Sequence, residues 1–331
     1  MKVCIYGAGA IGGHIGAMLS RAEGVEVSLI ARGAHLEAIR EHGLVMRSAA
    51  GDITAKVPAS DDPAELGPQD YVFLTLKAHQ APSAAAAMAP LLGPDTAVVT
   101  AMNGIPFWYF YGLDDPWRDR RLEAVDPGGV LWDTIGPKRV IGCVVYTAAE
   151  VIEPGVIRHE YGERYTLGEP DGEKSERART LGTAMAAAGM KAPVKANIRD
   201  EIWLKLWGNL SFNPISVLTH ATLGELASAP GTRAVARAMM VEAQSIAEKL
   251  GVKFAMDVDT RMEKSKAVGA HKTSTLQDLE RGRPMEIDAL VTVVQEMGRL
   301  VGVATPTIDV VLALVQQRAH EAGLYNYPAE S

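Results

Sequence analysis

Along the first half of the chain, segments whose apolar pattern predicts a strand alternate with segments whose pattern predicts a helix. Four mostly apolar runs, rich in β-branched and aromatic side chains, predict strands at 2–6, 25–30, 70–76 and 96–102. The alanine-rich residues 81–92 predict a helix that ends at Gly93-Pro94, and shorter runs predict strands at 140–146, 156–159 and 164–167. Strands that alternate with helices predict a parallel, doubly wound sheet.

The pattern changes near residue 198, after which apolar positions follow helical spacing. Helices are predicted over 201–214, 233–250, 284–301 and 306–322, with Pro284 and Pro306 in first helical turns. The predicted fold class is therefore α/β. A doubly wound sheet over residues 1–197 is followed by an all-helical domain over residues 198–331.

A glycine loop follows the first predicted strand and precedes a predicted helix. Its Gly7, Gly9 and Gly12 have the spacing of a dinucleotide-binding Rossmann domain. Gly7 would allow a tight turn, Gly9 a close approach to a pyrophosphate, and Gly12 close packing of helix on strand. The amides at the start of the helix, at Ala10 and Ile11, would bind the phosphates. A glycine turn without a ligand is the alternative.

The end of the second predicted strand indicates which dinucleotide is bound. NAD-binding domains place an acidic residue there for the ribose hydroxyl, whereas this chain has Ala31-Arg32-Gly33. Glu26 lies too early in the strand for that role. Arg32 is suited to a 2′-phosphate, so NADPH is the predicted cofactor. A solvated surface arginine is the alternative.

Composition narrows the classes of function. The chain has 331 residues and a net charge of −7, which gives no general basic field for nucleic acid. Cys4 and Cys143 are too few and too far apart for a disulfide framework or a metal site, so small buried thiols and no metal are expected. No apolar run approaches the length of a membrane span, about 18 residues, and the N-terminus lacks a signal-peptide pattern. We therefore expect a cytoplasmic protein without a membrane partner.

Residues 107–138 interrupt the alternation of strands and helices. Six of the 19 aromatic residues of the chain fall within 107–117. That density is atypical of a solvated loop. Three interpretations stay open, namely a lid, a pocket wall and a subunit contact, and a homodimer stays open with them.

A polar stripe runs along the predicted helix 201–214. Lys205, Asn209 and Asn213 are spaced by four residues, and the positions around them are almost all apolar. A helix that is apolar nearly all round is buried, and its polar groups then need partners. The stripe is interpreted as the lining of a polar pocket. A structural ion pair with capping asparagines is the alternative.

These motifs together resemble the ketopantoate reductase (2-dehydropantoate 2-reductase) family. The matching positions follow the family's order over nearly the whole chain: Gly7 to Gly12, Arg32, Lys77 to Gln80, Asn103-Gly104, Lys205, Asn209, Asn213-Pro214, 273–278 and 281–288.

The resemblance implies NADPH-dependent reduction of 2-dehydropantoate to pantoate, a step of pantothenate biosynthesis. It implies that Lys205 is the general acid that protonates the ketone oxygen, and that Glu286 holds and orients Lys205. A proton donor placed at the developing oxyanion stabilises the transition state. Substrate-binding roles fall on Asn209, Asn213, Ser274 and Asn103. Cofactor-binding roles fall on the glycine loop, Arg32, Lys77 and Asn103.

Two departures from the family pattern lie near the expected substrate site. His271 stands where the family often has asparagine, and the aromatic segment stands where the family usually has a shorter turn. His79, His220 and His271 are rival candidates for the acid, although His79 is expected near the cofactor and His220 in helix packing or capping. A small 2-keto acid is the expected partner. Reduction of a different 2-keto acid and a non-catalytic NADPH-binding sensor stay open as alternatives.

Overall fold

The structure, a computed structural model, describes residues 1–327. The chain divides into two compact units. The first comprises residues 1–102, 106–121 and 126–198, and the second comprises 103–105, 122–125 and the chain from 199 onward. The second unit thus takes up two short segments that the sequence assigned to the first domain. The division into functional domains at 197/198 stays a prediction.

One mixed sheet lies in the first unit. Within residues 1–327 it has nine strands: β1 Lys2–Tyr6, β2 Glu26–Ile30, β3 Leu44–Arg47, β4 Ile53–Ala55, β5 Ala59–Ser60, β6 Gln69–Leu74, β7 Leu92–Thr100, β8 Val140–Glu153 and β9 Val156–Gly168.

Six of these strands are parallel neighbours, in the order β8-β7-β6-β1-β2-β5. This is the strand order of a doubly wound dinucleotide-binding sheet, in which the order reverses between β1 and β6. Ligands of such sheets bind beyond the carboxyl ends of the strands at the reversal. The predicted doubly wound fold is confirmed.

The remaining strands extend the sheet differently from the sequence prediction. The runs predicted at 156–159 and 164–167 belong to one strand, β9, which pairs antiparallel with β8. Only two residues separate β8 from β9, and so short a connection can join only antiparallel strands. The second of them, Gly155, has a φ of +74°. The sheet is completed by β3, parallel to β9, and β4, antiparallel to β3.

Helices of the first unit are α1 Ala10–Leu19, α2 Gly33–His42, α3 Ala81–Ala84, α4 Val130–Thr134 and α5 Glu176–Ala187. The single helix predicted over 81–92 is wrong, since α3 ends after one turn and a 3-10 helix follows at Ala86–Leu91. Pro90 lies inside that 3-10 helix and has no N–H to donate. Strand β7 then begins at Leu92, four residues earlier than predicted.

The described part of the second unit is helical. Its helices are α6 Ile198–Thr219, which starts at the last residue of the first unit, α7 Leu223–Ser228, α8 Pro230–Lys249, α9 Val258–Ala267, α10 Ser274–Glu280, α11 Val293–Val301 and α12 Pro306–Glu321. A π-helix at Asp288–Thr292 leads into α11. Within residues 1–327, no helix has both the length and the apolar character needed to cross a membrane.

The helix predicted from Pro284 starts later than expected. Helical structure begins at Ile287, and Pro284 lies in the preceding irregular segment. The backbone N–H of Arg283 still bonds the carbonyl of Asp278 in α10, at 2.8 Å. A hydrogen-bonded turn at the end of α10 therefore extends to Arg283, and Pro284 follows it directly.

The aromatic segment contributes core side chains to the first unit. Phe107, Trp108, Tyr109 and Phe110 are all buried. The Trp108 indole N–H donates to the Thr100 hydroxyl at 2.9 Å, and its ring covers Gly142 of β8, where a Cβ would lie 2.7 Å from the ring. Trp108 thus packs on the sheet as core. Cys4 and Cys143 are buried thiols, as predicted.

Candidate active site

The glycine loop forms a tight turn between β1 and α1. Gly7 has a φ of +108°, which favours glycine. A Cβ on Gly12 would overlap the Gly7 carbonyl oxygen and lie 2.5 Å from the Thr75 hydroxyl and 2.8 Å from Ile5 Cγ2. A side chain at position 12 would therefore push α1 away from the sheet.

The loop leaves room for an anionic group at the start of α1. The amides of Gly7 and Ala8 bond the carbonyl of Ile30, at 3.2 and 2.9 Å. Those of Ala10 and Ile11 open the helix, where N–H groups have no intrahelical acceptor. The first turn has no acidic residue, and beyond Gly9 and its two chain neighbours no heavy atom lies within 4 Å of the position of a Cβ on the exposed Gly9. This geometry fits a pyrophosphate.

Two side chains that sequence reasoning missed fix the shape of this loop. The Thr75 hydroxyl, just after β6, donates to the Gly7 carbonyl at 2.8 Å. His35 on α2 accepts the N–H of Gly155 at Nδ1, at 2.9 Å, so its Nε2 carries the proton that bonds the Ala8 carbonyl, at 2.7 Å. The contacts of His35 lie 27 and 120 residues away in the chain, so no local motif could have indicated them.

Arg32 directly precedes α2 and follows the end of β2 by two residues. Its side chain is exposed, and the first turn of α2 has no acidic residue. Glu26 lies at the opposite end of β2, about 13 Å away along the strand. Lys77 follows β6 by three residues and is half-buried at the start of the 3-10 helix Ala78–Gln80.

The second unit contains a chain of three polar side chains. The Lys205 ammonium donates to the Asn103 side-chain carbonyl at 2.7 Å, and the Asn103 amide donates to Glu286 Oε2 at 3.2 Å. Glu286 is buried, and Lys205 and Asn103 are half-buried. The Glu286 carboxylate, the Asn103 amide and the Lys205 ammonium thus form one hydrogen-bonded series, in which each bond polarises the next. Asn103 is the link between Glu286 and Lys205.

Helix α6 presents Lys205 because its other side is anchored in the core of the unit. Trp203 and Trp207 are buried, and the Trp207 indole N–H donates to the Met240 carbonyl at 3.1 Å. The Trp207 ring also stacks on Phe254, with ring centroids 3.9 Å apart. Asn209, one turn after Lys205, is half-buried.

The last residue of the predicted stripe connects α6 to the start of α10. Asn213 is buried, and its amide donates to the Thr275 hydroxyl at 3.0 Å. One turn later, the Ser216 and Thr273 hydroxyls lie 2.6 Å apart. Ser274 is exposed between the two buried threonines. The structure therefore gives Asn213 a structural contact, and its substrate-binding role stays a prediction.

The histidines weighed as rival acids occupy different environments. His79 and His220 are exposed, and His220 has a φ of +58° after the end of α6. His271 is half-buried, and its carbonyl accepts the N–H of Leu223 at 2.9 Å. Among residues 1–327, no group of histidine, cysteine and acidic side chains is arranged to hold a metal ion.

Comparison with known proteins relates both units to one family. The family model described as "Ketopantoate reductase PanE/ApbA" matches residues 3–172, and that described as "Ketopantoate reductase PanE/ApbA C terminal" matches residues 197–319. The 2-dehydropantoate 2-reductase of Mesorhizobium japonicum is 57% identical over 326 residues, which are 98% of this chain and 100% of that protein.

Solved structures agree with the family models. A candidate ketopantoate reductase from Ralstonia solanacearum superposes with a TM-score of 0.93 at 42% identity, over 98% of this chain and 99% of that one. A PanE/ApbA family ketopantoate reductase from Ralstonia eutropha superposes with a TM-score of 0.84 at 32% identity, over 98% and 100%. The chain belongs to the ketopantoate reductase family of oxidoreductases.

Proposed function

We propose that this protein reduces the ketone of 2-dehydropantoate to the alcohol of pantoate, with NADPH as the cofactor and Lys205 as the proton donor. The observation that carries the proposal is the series Lys205–Asn103–Glu286, which directs an ammonium group by a 2.7 Å hydrogen bond. The name of the relative from Mesorhizobium japonicum, 57% identical over nearly the whole chain, supports this substrate.

Residues of the first unit would hold the cofactor. The Ala10 and Ile11 amides and the open surface of Gly9 suit the pyrophosphate, and Arg32 suits the 2′-phosphate of NADPH. When bound, NADPH supplies the hydride that adds to the ketone carbon. The assignment of NADPH over NADH rests on Arg32 and on the lack of an acidic residue at the end of β2.

Lys205 would supply the proton. As hydride adds to the ketone carbon, negative charge develops on the ketone oxygen, and the ammonium stabilises that charge and transfers one proton to it. Lys205 is left as a neutral amine and recovers its proton from water. The Asn103 carbonyl orients the ammonium, and the Glu286 carboxylate holds the Asn103 amide in the orientation that presents this carbonyl.

The substrate carboxylate needs donors beside the acid. Asn209 lies one turn after Lys205 on α6, and Ser274 is exposed at the start of α10. Both side chains can donate a hydrogen bond to a carboxylate oxygen. We assign substrate binding to Asn209, Asn213 and Ser274 on this basis, and to Asn103 through its contact with Lys205.

The test is NADPH oxidation with 2-dehydropantoate and a panel of other branched 2-keto acids. We expect kcat/KM to be at least about tenfold higher for 2-dehydropantoate, because one methylene in a fitted pocket discriminates by about 10–200-fold. A higher value for another acid would assign the site to that acid. Tight NADPH binding without turnover of any keto acid would favour the sensor instead.

Lys205 can be tested with an altered amine. Cys4 and Cys143 are buried, so alkylation of a Lys205→Cys variant with bromoethylamine should modify position 205 selectively. The product is a lysine analogue of lower basicity. We expect alkylation to restore activity and to move the alkaline limb of kcat to lower pH. Restored activity with an unmoved limb would contradict the assignment of Lys205 as the acid.

A further inference from the structure

The segment Asn103–Ile105 lies against the chain where helical structure begins after Pro284. Asn103 donates to Glu286, and the backbone N–H of Ile105 donates to the carbonyl of Ala289 at 3.0 Å. Between them, Gly104 has a φ of +88°. A Cβ on Gly104 would overlap the Ala289 carbonyl oxygen and lie 2.7 Å from the carbonyl carbon and 2.9 Å from Ala289 Cβ.

The π-helix at Asp288–Thr292 makes this contact available. In an α-helix, the N–H of Val293 would donate to the carbonyl of Ala289. Here the N–H of Val293 instead bonds the carbonyl of Asp288, five residues earlier. The Ala289 carbonyl accepts the N–H of Ile105 from the other segment. Single π-turns of this kind are frequent at functional sites.

We propose that Gly104 is a positioning residue, which acts with the π-turn at Ala289 to place the Asn103 amide between Lys205 and Glu286. The inference rests on the proposed function, because Gly104 would orient the ammonium that donates the proton. Without a Cβ, Gly104 lets the two backbones approach until Ile105 bonds Ala289. Asn103, one residue earlier, is then held within reach of both Glu286 and Lys205.

A substitution at Gly104 should therefore act on Lys205 from a distance. In Gly104→Ala, the added Cβ overlaps the Ala289 carbonyl, and a φ of +88° is unfavourable for alanine. The segment must move away, and Asn103 moves with it. Gly302 is a matched control, because it ends α11 with a φ of +66° and has open space around the position of its Cβ.

The experiment measures the pKa of Lys205 by NMR, in protein labelled at lysine Cε, with the resonance assigned by comparison with Lys205→Met. An acceptor bonded to an ammonium favours its charged form. We expect a lower pKa of Lys205 in Gly104→Ala and in Asn103→Ala, and no change in Gly302→Ala. The double variant should match Asn103→Ala, because Gly104 acts through Asn103. An unchanged or raised pKa in Gly104→Ala would overturn the proposal.

Activity gives a second readout. We expect kcat, measured at saturating NADPH, to fall at least tenfold in Gly104→Ala. If wild-type protein turns over no keto acid, the proposed function fails, and the NMR result still decides the positioning role. If Gly104→Ala does not fold, Ile105→Pro removes the N–H donor to Ala289 without adding a Cβ at position 104. Ile105→Pro should also lower the pKa of Lys205, and an unchanged pKa would overturn the proposal.

Discussion

The Lys205 ammonium and the Asn103 side-chain carbonyl are joined by a 2.7 Å hydrogen bond, although 102 positions separate them in the chain. Only one orientation of the Asn103 amide serves both neighbours, because its carbonyl must face the ammonium and its NH₂ must face the Glu286 carboxylate. An aspartate at 103 would place a second carboxylate beside Glu286, and an alanine would break the series. The neutral amide is therefore the side chain that links the Lys205 ammonium and the Glu286 carboxylate.

We propose that Arg32 makes the protein prefer NADPH to NADH. We expect Arg32→Gln to raise the Kd for NADPH by about 10- to 100-fold, because hydrogen bonds to charged groups contribute about 1.5–3 kcal/mol. The Kd for NADH should change little, since NADH lacks the 2′-phosphate. Fluorescence titration of both cofactors measures this. Arg40→Gln is the control, because Arg40 is an exposed arginine on the adjoining helix α2. Equal effects on both cofactors would contradict the role of Arg32.

We expect a substitution at His35 to weaken cofactor binding and to leave kcat nearly unchanged. His35→Leu removes the bonds to the Ala8 carbonyl and the Gly155 amide, which connect the glycine loop to the turn between β8 and β9. Each bond contributes about 0.5–1.5 kcal/mol, so we expect the Kd for NADPH to rise about tenfold with kcat at saturation nearly unchanged. His42→Leu, exposed at the end of α2, is the control. A fall in kcat at unchanged Kd would show that His35 acts elsewhere.

His14 makes stability depend on pH. Burial in α1 and, to a smaller extent, the charge of the neighbouring His159 lower the pKa of His14 from 6.5 to about 4. Its Nδ1 lies 2.8 Å from the buried Tyr165 hydroxyl. Between pH 6.5 and 4 the unfolded chain binds a proton that the folded chain does not. The free energy of unfolding therefore decreases as the pH falls, by about 2 kcal/mol between pH 7 and 5 from this group.

Urea unfolding of wild type and His14→Gln at pH 7 and pH 5 tests this dependence. The variant should be less stable at pH 7, because the contact between the His14 ring and the Tyr165 hydroxyl is lost. Its loss of stability on acidification should be smaller by about 2 kcal/mol. His42→Gln, with an exposed side chain, should keep the wild-type dependence. An unchanged dependence in His14→Gln would assign the acid sensitivity to other groups.

The sequence predicted the elements whose signals are local. The glycine loop, the end of β2 at Arg32 and the polar stripe on α6 each depend on residues within one strand or helix, and periodicity identifies these. One of the errors lies at the boundary between two helices. Pro284 is a good helix starter, yet the bond from Arg283 to the Asp278 carbonyl delays the helix to Ile287.

The contacts that hold the candidate site together could not be predicted from the sequence. Thr75 meets Gly7 at a separation of 68 residues, His35 meets Gly155 at 120, and Asn103 meets Glu286 at 183. A hydroxyl, an imidazole and an amide of this kind have many roles in proteins. The contacts that each of them makes in the fold show which role it has.

The most direct test of the proposed function is the kcat of Lys205→Met with 2-dehydropantoate at saturating NADPH, with the Kd for NADPH measured on the same preparation. A general acid contributes about 10²- to 10⁴-fold to the rate, so we predict a loss of kcat in this range with the Kd within about twofold of wild type. A kcat near that of wild type, in a variant with unchanged cofactor affinity, would contradict the assignment of Lys205 as the proton donor.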